Sequence, residues 1–237
     1  MKKIGIIGGI GPASTVEYYN DIIKGYRKLT DDDNYPQIFI NSINMTEMLN
    51  YIVNSDREGL VDFLISEIDK LRIIGADYIA IASNTPHLVI DNLIEKSTIP
   101  IISIVEETCK YAKSKELKRV LLIGTLFTMK YNFYEKVFEK YNIECILPED
   151  NEKDIIHHII FPNLENGIII EKDKSVLKDL CNKIIKEKNI DGIILGCTEL
   201  PLILNEDDFN ICVLDTMKIH IKSILKKMIQ DGQNASL

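Results

Sequence analysis

Two stretches of the sequence end apolar runs in residues capable of chemistry: "IAIASNTPH" (79–87) and "IILGCTELP" (193–201). The first closes on Ser83 and the second on Cys197. Hydrogen-bonding residues follow each one at once, Asn84 and Thr85 in the first case, Thr198 and Glu199 in the second. Two acid/base groups on opposite sides of a small molecule suit the inversion of a stereocentre. One group removes the Cα proton while the other delivers a proton to the opposite face. A cysteine can carry that proton, and helix N-termini or nearby donors are expected to lower its pKa from the usual value of about 8.5. A strand-to-helix turn at such a position would also offer backbone N–H groups to a substrate carboxylate. Serine is the weaker partner, because its neutral hydroxyl needs an adjacent base. His87, four residues on, is placed to be that base only if the turn folds it back.

The elements that must hold these residues alternate along the chain. Strand-like runs fall at 3–9, 37–43, 78–83, 100–105, 119–125, 144–148, 192–197 and 211–215. Several are apolar on both faces, as expected of parallel strands covered by helices. Between them lie segments with helical spacing. In 57–75, Leu60, Phe63, Leu64, Ile68 and Leu71 share a face before Gly75; 176–192 behaves likewise. The alternation predicts an α/β fold. It also repeats: "IGIIGG" is echoed by "VLLIGT", "GADYIAIAS" by "NIDGIILGC", and "IPIIS" by "ICVLD", in the same order and at nearly constant offset. A duplicated α/β unit follows, with a first lobe of 1–108 plus 212–237 and a second of 109–211. In open α/β sheets ligands sit beyond the carboxyl ends of the strands. A pseudo-twofold between the lobes is therefore expected to bring Ser83 and Cys197 to one interlobe cleft.

Bulk properties remove several alternatives. A net charge of −8 disfavours nucleic acid or a membrane surface as partner. No apolar run reaches the roughly 18–20 residues of a membrane span, and Gly-Gly-Ile-Gly-Pro after the first strand is turn chemistry rather than a cleavage site. Five scattered cysteines without CxxC spacing predict neither a disulfide framework nor a zinc site, and so a cytoplasmic protein. Cys109, Cys145, Cys181 and Cys212 lie within or beside apolar runs and read as structural. The glycines at 5, 8, 9 and 11 lack clean GxGxxG spacing, and the second strand ends without an acidic residue, so a nicotinamide cofactor is not expected. His157 and His158 are adjacent and diverge on a helix, which argues against a metal. Asp31–Asn34 reads as a solvated loop, Tyr18 and Tyr19 as packing residues, and the Asn234–Ser236 sequon as meaningless without secretion.

The motifs "IGIIGGIGPAST" (4–15), "SNTPH" (83–87) and "GCTEL" (196–200) resemble the signatures of the aspartate/glutamate racemase superfamily, and the likeness runs over nearly the whole chain. The resemblance implies two Rossmann-like lobes, an active site in the cleft between them, no cofactor, no metal and a homodimer. It also implies racemisation of a small-molecule amino acid, of aspartate/glutamate type, by one cysteine from each lobe. Cys197 matches one of these, and Ser83 stands where the other is expected. Asn84, Thr85 and Thr198 match positions that hold the substrate carboxylate; Gly9, Ile10 and Ser14 match the N-terminal loop; Thr125 and Thr128 belong to the equivalent loop of the second lobe. Glu199 is placed to tune the thiol. Relatives specific for aspartate carry an arginine and a lysine for the second carboxylate, and here Met48 and roughly Ile170 occupy those places, with Arg57 nearby as a substitute. The substrate side chain is thus open to acidic, neutral or broad classes. Two other readings stay alongside: a one-cysteine decarboxylase or isomerase of the same fold, and a binding protein that has lost turnover.

Overall fold

The computed structural model describes residues 2–30 and 34–233, with side chains to residue 229. Asp31–Asp33 and the Asn234–Ser236 sequon lie outside the described residues. All eight expected strands form, seven within a residue or two of their predicted ends and the fourth three residues short of its expected end: β1 (Ile4–Gly8), β2 (Ile38–Ser42), β3 (Tyr78–Ile81), β4 (Ile101–Ile102), β5 (Arg119–Ile123), β6 (Glu144–Ile146), β7 (Gly192–Leu195) and β8 (Cys212–Asp215). Ten α-helices accompany them among the described residues: α1 (Pro12–Thr30), α2 (Met45–Val53), α3 (Arg57–Ile73), α4 (Ile90–Lys96), α5 (Ile104–Ser114), α6 (Leu126–Lys130), α7 (Phe133–Glu139), α8 (Asp150–Ile160), α9 (Glu171–Lys188) and α10 (Thr216–Gln233).

The strands form two separate sheets, both wholly parallel. The first runs β2-β1-β3-β4 and the second β6-β5-β7-β8, so each places its strands in the order second, first, third, fourth. That shared order is what a duplicated α/β unit predicts. The central strands β1 and β7 are buried at every position, which explains why their sequences carry no alternation.

The chain divides into two compact units, residues 1–104 with 220–237, and residues 105–219. This moves the expected boundary. Residues 212–219 do not return to the first lobe, because β8 completes the second sheet with Ile193 opposite Val213 and Leu195 opposite Asp215. The first unit's return begins in α10, where His220 is fully buried between the Tyr18 hydroxyl at Nδ1 (2.8 Å) and the Ile102 carbonyl at Nε2 (2.8 Å). Further along α10, Leu225 covers Gly25 of α1 so closely that a Cβ there would meet Leu225 Cδ1 at 2.4 Å. Of the two adjacent tyrosines, Tyr18 is core and Tyr19 is exposed.

Local signals set the helix ends. Asn44 caps α2 by accepting from the N–H groups of Thr46 and Glu47, and Asp56 caps α3 through Gly59. Gly75, with φ of 96°, stops the segment that α3 begins. Helix α9 starts five residues before its expected position and ends at Lys188, where Asn189 takes a left-handed conformation with φ of 52°. Asparagine is among the few residues that tolerate that region. Cys109 and Cys181 are buried, Cys145 and Cys212 half-buried, and all five cysteines are free.

Candidate active site

In the second unit, β5 and β7 are hydrogen-bonded neighbours whose last residues, Ile123 and Leu195, are in register. The loops that leave their carboxyl ends therefore start side by side. Gly196 donates to the Ile123 carbonyl at 2.7 Å, and Thr216 Oγ1 donates to the Leu195 carbonyl at 2.8 Å. A Cβ on Gly196 would lie 2.9 Å from the Ile123 carbonyl oxygen and 2.7 Å from Leu122 Cδ1, so only glycine lets the chain turn this close to β5. Cys197 follows immediately, on a rigid base.

Its thiol donates to Glu199 Oε2 at 3.0 Å, and Thr198 Oγ1 donates to the same oxygen at 2.9 Å. All three residues are buried. The other carboxylate oxygen, Glu199 Oε1, is buried and has no hydrogen-bond partner among the described residues. Burial pushes the Cys197 thiol well above its ordinary pKa, and the carboxylates of Glu199 and then Glu165 push it further the same way. The expectation of a lowered thiol pKa is corrected here: the thiol faces a carboxylate, and the neighbouring Thr198 hydroxyl donates to that carboxylate rather than to sulfur. Cys197 rests as a thiol with an acceptor already in place. Glu165 had no sequence signal of its own; it stands in a short 3-10 helix, Leu164–Asn166, half-buried, its own pKa raised by burial and by Glu199.

Thr125 caps α6, its Oγ1 accepting from the Thr128 N–H at 3.4 Å and lying 3.3 Å from Thr128 Oγ1. Thr128 is buried and packs toward Gly124 and Gly196, so it braces the turn under Cys197, whereas Thr125 stays half-exposed. The same loop is held from α8, where His157 Nδ1 accepts from the Leu126 N–H at 3.4 Å. His158 Nδ1 lies 2.6 Å from the Asp154 carbonyl oxygen, and the two adjacent rings meet edge to face with centroids 6.1 Å apart rather than diverging.

The first unit repeats the arrangement with different chemistry. β1 and β3 are neighbours with Ile7 opposite Ile81, and Ala82 donates to the Ile7 carbonyl at 2.9 Å. Ser83 and Asn84 follow and are buried; Thr85 is half-exposed and opens a short 3-10 helix, Thr85–Val89. His87 does fold back, but to the backbone. Its Nδ1 lies 3.0 Å from the Ser83 carbonyl oxygen, and its Nε2 lies 3.3 Å from the Ile104 N–H, which must donate to it. That pair of partners fixes the tautomer: Nδ1 carries the proton and Nε2 is the acceptor. Burial, with His220 adding to it, pulls the His87 pKa down to about 3. Both ring nitrogens are occupied, so His87 is not the base for the Ser83 hydroxyl.

The N-terminal loop is equally committed to its own shape. Gly9 donates to Thr15 Oγ1 at 2.9 Å, while the hydroxyls of Ser14 and Thr15 both donate to the Gly11 carbonyl. Gly9 has φ of 81°, and a Cβ there would meet the Ile43 carbonyl oxygen at 2.6 Å. Ile10 and Ser14 are buried. Met48 is fully buried on α2, a core residue rather than a lining one, and Arg57 is exposed at the start of α3. No cluster of three or more His, Cys, Asp or Glu suited to a metal occurs among the described residues, and no described helix is long and apolar enough to cross a membrane.

Known proteins share this organisation. The chain is 27% identical to the broad-specificity amino-acid racemase RacX of Bacillus subtilis, over 93% of this chain and 95% of that one. It is 29% identical to a glutamate racemase of Fusobacterium nucleatum, over 89% of this chain and 74% of the relative. Among solved structures, an aspartate racemase homologue from Pyrococcus horikoshii superposes with a TM-score of 0.85 at 37% identity, covering 96% of this chain and 99% of the other. Residues 7–224 match the model of the Asp/Glu/Hydantoin racemase family, and the chain belongs to that family.

Proposed function

We propose that the chain is an amino-acid racemase that moves the Cα proton between Cys197 on one face of the substrate and Ser83 on the other. The observation that carries this reading is the thiol of Cys197 held on a buried carboxylate at 3.0 Å. Two unit charges that close would repel by about 5 kcal/mol at an effective dielectric constant near 20. The pair therefore holds one proton between its two ends. As a thiol, Cys197 protonates a carbanion at Cα; with its proton passed to Glu199 Oε2, the thiolate removes one. Glu199 thus sets the direction in which Cys197 acts.

On the Ser83 side the candidate base His87 is engaged on both nitrogens. Turnover is consequently unequal for the two enantiomers, with proton transfer at Ser83 as the slow step. Asn84, Thr85 and Thr125 supply hydroxyl and amide donors suited to an α-carboxylate, whereas the Thr198 hydroxyl is already given to Glu199. The substrate side chain belongs to a broad class rather than to aspartate alone, because Met48 is shut in the core and the charge that acts on Cys197 besides Glu199 is another carboxylate, Glu165. The relatives' names agree in kind: one is called broad in specificity and another a glutamate racemase. We place the enzyme in the cytoplasm as a homodimer, needing no cofactor, on the strength of the family resemblance.

A second reading rests on the same His87 geometry. An enzyme with one competent acid would protonate a single face of an enolate, as a decarboxylase or isomerase does. Proton NMR in heavy water separates the two. Racemase chemistry gives loss of the Cα proton signal from free amino acids with recovery of both enantiomers. Release of carbon dioxide from a substituted malonate, with no Cα exchange, selects the second.

A further inference from the structure

The first unit buries two histidines completely, His87 and His220, and both are bonded to the same short corner of the backbone. The corner is Ile102-Ser103-Ile104, where β4 ends and α5 begins. His220 Nε2 lies 2.8 Å from the Ile102 carbonyl oxygen, so Nε2 carries the proton and donates. Nδ1 is then the acceptor, and the Tyr18 hydroxyl donates to it at 2.8 Å. Two residues on, the Ile104 N–H donates to His87 Nε2 at 3.3 Å, and His87 Nδ1 donates to the Ser83 carbonyl at 3.0 Å. Every link of this path donates in the direction of Ser83. Tyr18, His220, Ile102, Ile104 and His87 are all buried. A fully paired buried network holds its members in one arrangement, because any other leaves a polar group orphaned.

The second unit meets the same need by a shorter route. The echo of "IPIIS" (99–103) in "ICVLD" (211–215) puts Thr216 where Ile104 stands. Thr216 Oγ1 donates straight to the Leu195 carbonyl, two residues before Cys197, at 2.8 Å. In each unit, then, the corner after the fourth strand holds the loop that bears the reacting residue. Ile104 has no hydroxyl to give, and His87 makes the link in its place. Tyr18 and His220 hold that corner from its other side.

We propose that Tyr18 and His220 are positioning residues for Ser83, fixing its place through the Ile102–Ile104 corner and His87. The proposal rests on the reading that Ser83 handles the proton on one face of the substrate. Tyr18 and His220 are fully buried and act on the reaction only through this path.

The test follows Cα exchange in heavy water with the full chain, for L- and D-forms of aspartate, glutamate, alanine and lysine. The Tyr18 and His220 rings meet edge-on with centroids 5.7 Å apart, so Tyr18→Phe keeps the packing and removes only the hydroxyl. It is expected to slow the slower enantiomer about fivefold and the faster one by no more than about twofold. In His220→Gln the side-chain amide reaches the Ile102 carbonyl as Nε2 does; in His220→Asn it is one methylene too short. The glutamine variant is expected to exchange the slower enantiomer about threefold faster than the asparagine one, although both bury an amide. Leu225→Ala loosens the packing of α10 on Gly25 without touching the path, and should leave the ratio of the two rates as in the native chain. Nitrogen-15 spectra give a readout free of turnover: the amides of Ser83 and Asn84 should shift in Tyr18→Phe and stay in place in Leu225→Ala. A native ratio of rates in both Tyr18→Phe and His220→Asn would overturn the proposal, as would the same change of ratio in Leu225→Ala. No exchange in the native chain or in Ser83→Cys would defeat the racemase reading instead. The path is then decided by the spectra, and unmoved Ser83 and Asn84 amides in Tyr18→Phe would overturn it.

Discussion

Replacing Glu199 by glutamine removes one charge and one proton acceptor while leaving the side chain's size unchanged. In the native protein the Cys197 thiol and the Thr198 hydroxyl both donate to Oε2, at 3.0 and 2.9 Å. The glutamine carbonyl can still accept both, so the turn under Cys197 keeps its geometry. What disappears is the ability to take the thiol proton. General acid–base groups contribute about 10²–10⁴ in rate, so kcat for Cα exchange should fall by at least a hundredfold, about 3 kcal/mol of barrier, with KM changing little. A second readout moves the opposite way. The Glu199 carboxylate raises the thiol pKa, so its neutralisation lowers that pKa and increases the thiolate fraction at any fixed pH below it. Alkylation of Cys197 by iodoacetamide, followed by mass spectrometry, should therefore be faster in Glu199→Gln than in the native chain. A merely structural role would slow catalysis without speeding alkylation. Exchange within fivefold of native, or slower alkylation, would refute the reasoning.

Three further outcomes follow from other residues. His87 is neutral in the folded protein down to about pH 3 and takes up a proton when unfolded below about 6.5, so the unfolded state binds more protons between these values. Stability is therefore lost as pH falls through that window, by up to about 1.4 kcal/mol per pH unit from this group; urea midpoints from pH 7 to 4 should fall less steeply in His87→Gln, and its exchange activity at pH 7.5, once folding is confirmed, should stay within tenfold. Gly9→Ala forces a side chain into a positive-φ turn against the Ile43 carbonyl and should cost about 2–4 kcal/mol by thermal or urea unfolding. Met48→Arg, a direct attempt to supply a cation for acidic substrates, buries a charge in the core of the first unit and should destabilise by more than about 3 kcal/mol rather than sharpen specificity; a folded variant that gains activity on aspartate would contradict the placement of Met48.

Much of this was legible in the sequence because parallel strands covered on both faces leave uninterrupted apolar runs. β1 and β7 are buried at every position, and the sequence echoes of β1 in β5 and of β3 in β7 carried through to a shared strand order. Ser83 and Cys197 stand out for the same reason, as polar residues at the ends of such runs. What lay outside the sequence is tertiary. The partner that fixes His87 is the N–H of Ile104, seventeen residues away and supplied by another element. The destination of residues 212–219 depended on which strand β8 pairs with, and hydrophobicity is the same in either case. The start of α9 was missed because Glu171–Lys174 carries no apolar stripe and is helical through its capping turn at Ile170. The sign of the Cys197 shift depended on where the Glu199 side chain turns, and nothing in "GCTEL" states that.

The most direct test of the account is deuterium incorporation at Cα, followed by proton NMR for L- and D-enantiomers of aspartate, glutamate, alanine and lysine. It compares the native chain, Ser83→Cys and Cys197→Ala. The account predicts that the native chain exchanges one enantiomer faster than the other, that Ser83→Cys accelerates the slower one, and that Cys197→Ala abolishes exchange of both. Exchange that survives in Cys197→Ala would contradict it, because no other described residue offers a thiol held on a buried acceptor at a strand end.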